Sequence, residues 1–171
     1  LVPMGRAKAD DVASAEEFES VFHQLYDLSK TAPFDIKATA APQYSRVVMQ
    51  RKRAEVRAGA DEDVHEVMTR GMHYSQSDGI GRARNVNDGD GFIFISHTGD
   101  VMPSGFLPIK AGNIRDDDII EIYRNAPVFK ELRDRTLLKG KCGVCGYRDA
   151  CGGSRARAYA MTGDHLAEEP F

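Results

Sequence analysis

The sequence predicts an α/β (α+β) chain, with a strand–helix–strand front part followed by a small unit of hairpin, short helices and a cysteine loop. Three observations carry this. Apolar residues recur at helical spacing over residues 14–30, short apolar runs occur at 34–39 and 91–97, and all three cysteines fall between positions 142 and 151.

The bulk numbers agree with a globular protein. The chain has 171 residues, 42% hydrophobic and 29% charged, enough for one domain with a real core or two small ones. A net charge of −3 gives no general basic field for nucleic acid, although Arg51, Lys52, Arg53 and Arg57 form a local basic patch. No apolar run approaches the ~18 residues of a spanning helix. The expected setting is therefore soluble, with no membrane or nucleic-acid partner.

The first strong element is a helix over residues 14–30. Ser14 and Glu17 have capping-box spacing, and Phe18, Val21, Phe22, Leu25, Tyr26 and Leu28 recur at helical spacing. Leu1-Val2-Pro3 before it reads as the end of a strand, and residues 34–39 after it read as another. Strand, helix, strand is the repeat of an α/β layer or barrel, and one and a half such units cannot close a barrel. A second helix can start near Tyr44, Val47 and Val48, but it runs into the cations Arg51-Lys52-Arg53. Residues 59–90, rich in Gly, Asp, Arg and Asn, read as a linker or mobile insertion. This divides the chain into 1–58, 59–90 and 91–171.

In the last part, residues 91–97 form a compact apolar strand, Thr98-Gly99-Asp100 supplies turn residues, and Val101-Met102-Pro103 starts the return strand. Gly112-Asn113-Ile114 reads as a turn. Residues 116–118 can cap a short helix carrying Ile119, Ile120, Ile122 and Tyr123, and Pro127 suits the first turn of the next, with Val128, Phe129 and Leu132 inward.

The segment Cys142-Gly-Val-Cys145-Gly-Tyr-Arg-Asp-Ala-Cys151-Gly-Gly carries the chemistry. Three clustered cysteines with no distant partner are a poor disulfide framework and a good metal-ligand set in a reducing compartment, so the cytoplasm is the expected location. Two thiolates two residues apart can turn onto one centre, and the third closes the pocket. The glycines after Cys151 leave backbone N–H groups free to point at sulfur. Spacing alone permits either zinc, with His165 or His97 as fourth ligand, or an iron–sulfur cluster.

The run from Cys142 to Cys151, followed by Gly-Gly-Ser-Arg-Ala-Arg-Ala-Tyr-Ala, resembles the auxiliary-cluster loop of radical SAM proteins with a SPASM or twitch extension, and most resembles members linked to haem and haem d1 biosynthesis. The segments Ser96-His-Thr-Gly-Asp-Val, Pro103-Ser-Gly-Phe-Leu-Pro and Ile122-Tyr-Arg-Asn are similar to that extension, and the front part to the end of a partial radical SAM barrel. The resemblance implies that Cys142, Cys145 and Cys151 bind an auxiliary iron–sulfur cluster of the 4Fe–4S type. Its fourth ligand would lie beyond Phe171, or one iron would stay open to substrate. Because Pro103-Ser104-Gly105 stands where full SPASM domains have a cysteine, it implies one auxiliary cluster rather than two. The Cys-x3-Cys-x2-Cys loop that cleaves S-adenosylmethionine is absent from these 171 residues. S-adenosylmethionine and a second 4Fe–4S cluster are therefore expected of a longer parent oxidoreductase only, with a tetrapyrrole or peptide substrate and a ferredoxin or flavodoxin as electron donor. Arg155 and Arg157 are expected to meet substrate carboxylates, since guanidinium pairs with them bidentately. The reading of a different class is a zinc-stabilised, non-catalytic binding module.

Overall fold

The computed structural model describes residues 2–34, 36, 38, 40–59 and 87–171. Its α+β content is as expected: helices around one small antiparallel sheet.

Helix α1, Ala15–Ser29, begins with the anticipated capping box. Ser14 Oγ accepts from Glu17 N at 3.2 Å, and Glu17 Oε2 accepts from Ser14 N at 2.8 Å. Its buried face carries Phe22 and Tyr26, four residues apart. Helix α2, Gln43–Arg57, runs straight through the basic stretch that looked like an interruption. Two of its cations are matched by α1, Arg46 with Glu19 and Arg51 with Asp27 at 2.5 Å, and its Glu55 takes Lys30 from the turn after α1. The Arg51 guanidinium also lies over the Tyr26 ring at 4.8 Å. Each partly exposed pair is worth only about 0.2–1 kcal/mol, so they set register while Phe22, Ala41 and Val47 supply the buried contact.

The expected strand at 34–39 lies partly outside the described residues, and its described members Phe34, Ile36 and Ala38 are not in a strand. Val2 and Pro3 are not in one either, so among the described residues the first 59 contribute helices only. Most of the expected linker, 60–86, lies outside the described residues.

Strands β1 (Phe94–Ile95) and β2 (Asp100–Met102) make the anticipated hairpin, with Phe94 opposite Met102 and Ile95 opposite Val101. Gly112–Asn113, read as a turn, is instead a third strand, β3, paired antiparallel to β2. Its place is fixed from afar: Asn113 Nδ2 donates to Asp100 Oδ1 at 2.9 Å and to Thr98 O at 3.2 Å. Helix α3, Ile119–Asn125, is capped by Asp118, whose Oδ1 accepts from Ile120 N and Glu121 N. Helix α4, Pro127–Arg133, starts on its proline. Together they bury Ile122, Val128, Phe129 and Leu132 against Val101 and Leu107. Val2 and Ala156 join the same core, so the two ends of the chain close over the sheet.

The last helices are short: α5 (Gly140–Val144), α6 (Arg148–Cys151) and α7 (Arg155–Thr162). The cysteines lie on the first two and on the turn between them.

Candidate metal centre

Cys142 sits within α5, Cys145 is its C-cap, and Cys151 is the last residue of α6. The chain then leaves α6 through two consecutive left-handed glycines, Gly152 (φ +67°) and Gly153 (φ +64°), a conformation that side chains other than glycine rarely adopt. Gly153 is required twice over. A Cβ there would overlap Arg155 Nη2 and press on Glu169 Cβ at 3.0 Å and Cys142 Sγ at 3.3 Å. Arg155, Glu169 and Cys142 therefore all pack into the space that a side chain at Gly153 would fill.

Each sulfur receives a hydrogen bond. Tyr147 N donates to Cys145 Sγ at 3.4 Å, Gly153 N to Cys151 Sγ at 3.4 Å, and Glu169 N to Cys142 Sγ at 3.3 Å. Cys142 has a second donor, Arg155 Nη2, at 3.7 Å. A neutral thiol is a weak acceptor with little use for such an array, whereas a metal-bound thiolate needs its charge compensated. All three cysteines are free and half-buried. Burial pushes the Cys151 thiol up; the Gly153 N–H pulls it down, Cys142 and Glu169 push it up, and Arg46 pulls it down. The donor set fits a thiolate-ligated metal centre such as an iron–sulfur cluster.

The arginines turn inward. Arg155 and Arg157 are both 0% exposed. Besides Cys142, Arg155 donates to the carbonyls of Gly153 (3.3 Å), His165 (3.1 Å) and Ala167 (2.7 Å). Burial lowers its pKa, and Cys142 and Glu169 act in the opposite direction. Arg157 pairs with buried Glu169 at 2.5 Å and lies over the rings of Phe18 (4.9 Å) and Phe171 (5.7 Å). These guanidinium groups do not face solvent as a substrate-carboxylate role requires: with no exposed surface, their hydrogen-bond capacity is directed at the protein itself.

His165 Nε2 meets Glu131 Oε2 at 2.9 Å, and His97 is exposed beside the hairpin turn. Among the described residues no three His, Cys, Asp or Glu groups converge at the spacing of a single ion. Tyr147, besides its N–H bond to Cys145, receives Arg53 Nη1 on its hydroxyl at 3.5 Å, and Tyr159 packs against the core.

Several residues of the site have no signature in sequence. Asn87, placed in the linker by composition, is buried and donates from Nδ2 to Gly153 O at 2.8 Å. Asp88 Oδ2 accepts from Ala156 N at 2.9 Å, and Asp90 pairs with Arg135 at 2.8 Å. Residues 87–90, which composition reads as linker, thus pack against the cysteine loop and the helix after it. Glu169 bridges Ser154 N, Arg157 and Cys142. Only the alternation Asn-Asp-Gly-Asp, a turn signal, hinted that 87–90 is ordered.

Residues 87–146 match the family described as SPASM, iron–sulfur cluster-binding domain. Those residues are similar to a SPASM domain. That SPASM match takes in Cys142 and Cys145 and ends before Cys151. Across its whole length the chain is 42% identical to the AdoMet-dependent heme synthase of Methanosarcina barkeri and 44% identical to that of Nitratidesulfovibrio vulgaris, spanning 45% and 44% of those proteins. It thus covers less than half the length of these curated relatives. Over 48% of the chain it is 37% identical to the pre-heme d1 synthase of Dinoroseobacter shibae, of which the alignment covers 21%. The resemblance to radical SAM proteins with a SPASM extension is borne out by these matches. No helix among the described residues is long and apolar enough to cross a membrane.

Proposed function

We propose that this chain is the auxiliary-cluster part of a radical SAM oxidoreductase that modifies a tetrapyrrole, with Cys142, Cys145 and Cys151 as three ligands of a 4Fe–4S cluster. The observation that carries the assignment is the array of N–H and guanidinium donors on the three sulfurs. A bound cluster would supply a one-electron acceptor beside the substrate. The chain's own residues hold the thiolates apart, compensate their charge and shield the Cys142 side from water through buried Arg155 and Glu169. S-adenosylmethionine cleavage belongs to the parent outside these residues, and a ferredoxin or flavodoxin would carry electrons in the cytoplasm. The tetrapyrrole substrate is supported by the names of the relatives matched over the full chain.

Anaerobic reconstitution with iron and sulfide tests this. The expected result is about four irons and four sulfides per chain with charge-transfer absorption, lost on Cys142→Ala or Cys145→Ala. One tightly held zinc without sulfide would replace the proposal with a zinc-stabilised module.

A further inference from the structure

The three sulfurs are not equivalent. Cys145 and Cys151 each receive one neutral backbone N–H, from the residue two positions on. Cys142 receives a backbone N–H from a distant residue, Glu169, and a donor from the permanently charged guanidinium of Arg155. Arg155 has no exposed surface, and Glu169 is 2% exposed. A charge buried this far from water acts on a neighbouring thiolate through a low effective dielectric, so it is felt far more than a surface charge. The two groups have opposite signs and both border Gly153, against which Cys142 Sγ lies.

We infer that Arg155 and Glu169 set the reduction potential of the cluster held by Cys142, with Arg155 raising it and Glu169 restraining it. The inference rests on the iron–sulfur reading. On one-electron reduction the cluster gains a negative charge from the added reductant, with no bond made or broken. A buried cation against a cluster thiolate stabilises that reduced state, and a buried anion beside it does the reverse. Arg155 is thus a positioning and tuning residue rather than a substrate contact. Its three carbonyl partners hold the guanidinium in place, so the charge cannot swing away when the cluster changes state.

The test is a dithionite titration of the reconstituted 171-residue chain, followed by electron paramagnetic resonance, with iron and sulfide measured first. Arg155→Gln removes the cation and should move the reduction equilibrium at least tenfold toward the oxidised cluster, ~59 mV in a one-electron couple. Glu169→Gln removes the anion while keeping an acceptor for Ser154 N, and should move it the other way. Arg155→Lys keeps a cation but not the fork of donors, and should move the equilibrium in the same direction as Arg155→Gln by less than half as much. Opposite shifts are the decisive readout. Loosening of the loop alone would admit water in both variants and move both potentials in the same direction. Shifts of one sign, no shift in Arg155→Gln, or a lysine variant that behaves like glutamine overturns the inference while leaving the cluster assignment standing. Loss of iron from both glutamine variants also overturns it, since the pair would then be holding the loop rather than tuning it. A starting chain that binds no iron and sulfide defeats the functional reading itself.

Discussion

Arg157→Met exchanges a buried cation for an apolar chain of similar reach and leaves the Glu169 carboxylate, 2% exposed, without its counter-ion. Breaking one side of a buried pair costs roughly 3–5 kcal/mol, because the surviving charge stays desolvated. The contacts with Phe18 and Phe171 contribute in the same direction, and methionine recovers part of that packing. We take about 4 kcal/mol, a large share of the roughly 5–15 kcal/mol that holds a domain folded. In thermal unfolding of the metal-free chain this is a fall of about 8–16 °C, at roughly 2–4 °C per kcal/mol for this size. The double variant Arg157→Met with Glu169→Gln removes both charges and keeps an acceptor for Ser154 N. It should recover at least half of the loss, since a buried ion pair replaced as a unit is close to neutral. A single variant costing under about 1 kcal/mol, or a double variant less stable than the single, would refute the reasoning.

Other outcomes follow from the same geometry. Gly153→Ala forces a left-handed alanine and a Cβ into Cys142 and Arg155, so far-ultraviolet circular dichroism should stay near normal while iron uptake falls severalfold. Asn87→Ala leaves the Gly153 carbonyl with Arg155 Nε as its remaining donor, at 3.3 Å, and should cost about 0.5–1.5 kcal/mol in urea unfolding, with weaker metal retention. The Asp100 carboxyl, held by Lys110, Asn113 and Thr98, is lowered to about 2, which a carbon-detected titration can read directly. Because its folded value lies below the unfolded one of about 3.9, the stability it supplies is complete above that pH and is lost as pH falls toward 2. Asp100→Asn should remove that part of the acid-range loss, and an unchanged pH profile would contradict the assignment.

Local chemistry was legible wherever a few adjacent residues decide the structure. The Ser14–Glu17 box, Pro127 at a helix start, the hairpin and the cysteine loop are each decided within a handful of positions. What escaped depends on partners far along the chain. The cations of α2 looked like a break because the anions that meet Arg46 and Arg51 lie on α1, more than twenty residues earlier. Gly112–Asn113 has no strand propensity of its own and becomes one only by pairing with Asp100 and Val101. The arginines of α7 read as contacts for substrate carboxylates because nothing next to them in sequence shows that Glu169, Phe18 and Phe171 enclose one and carbonyls from 165 and 167 engage the other. Asn87 to Asp90 read as linker for the same reason: their partners are Gly153, Ala156 and Arg135.

The closure of both chain ends over the sheet bears on how this loop is moved between scaffolds. A segment cut at the limits of the family match, 87–146, would lose Cys151, the glycine pair, both buried arginines and Glu169, and would leave the Val2 and Ala156 positions of the core empty. Transplanting the metal-binding property therefore means carrying residues 87–171 with a surrogate for Val2 and for the Phe18 ring that covers Arg157. Here the portable unit is larger than the recognisable one.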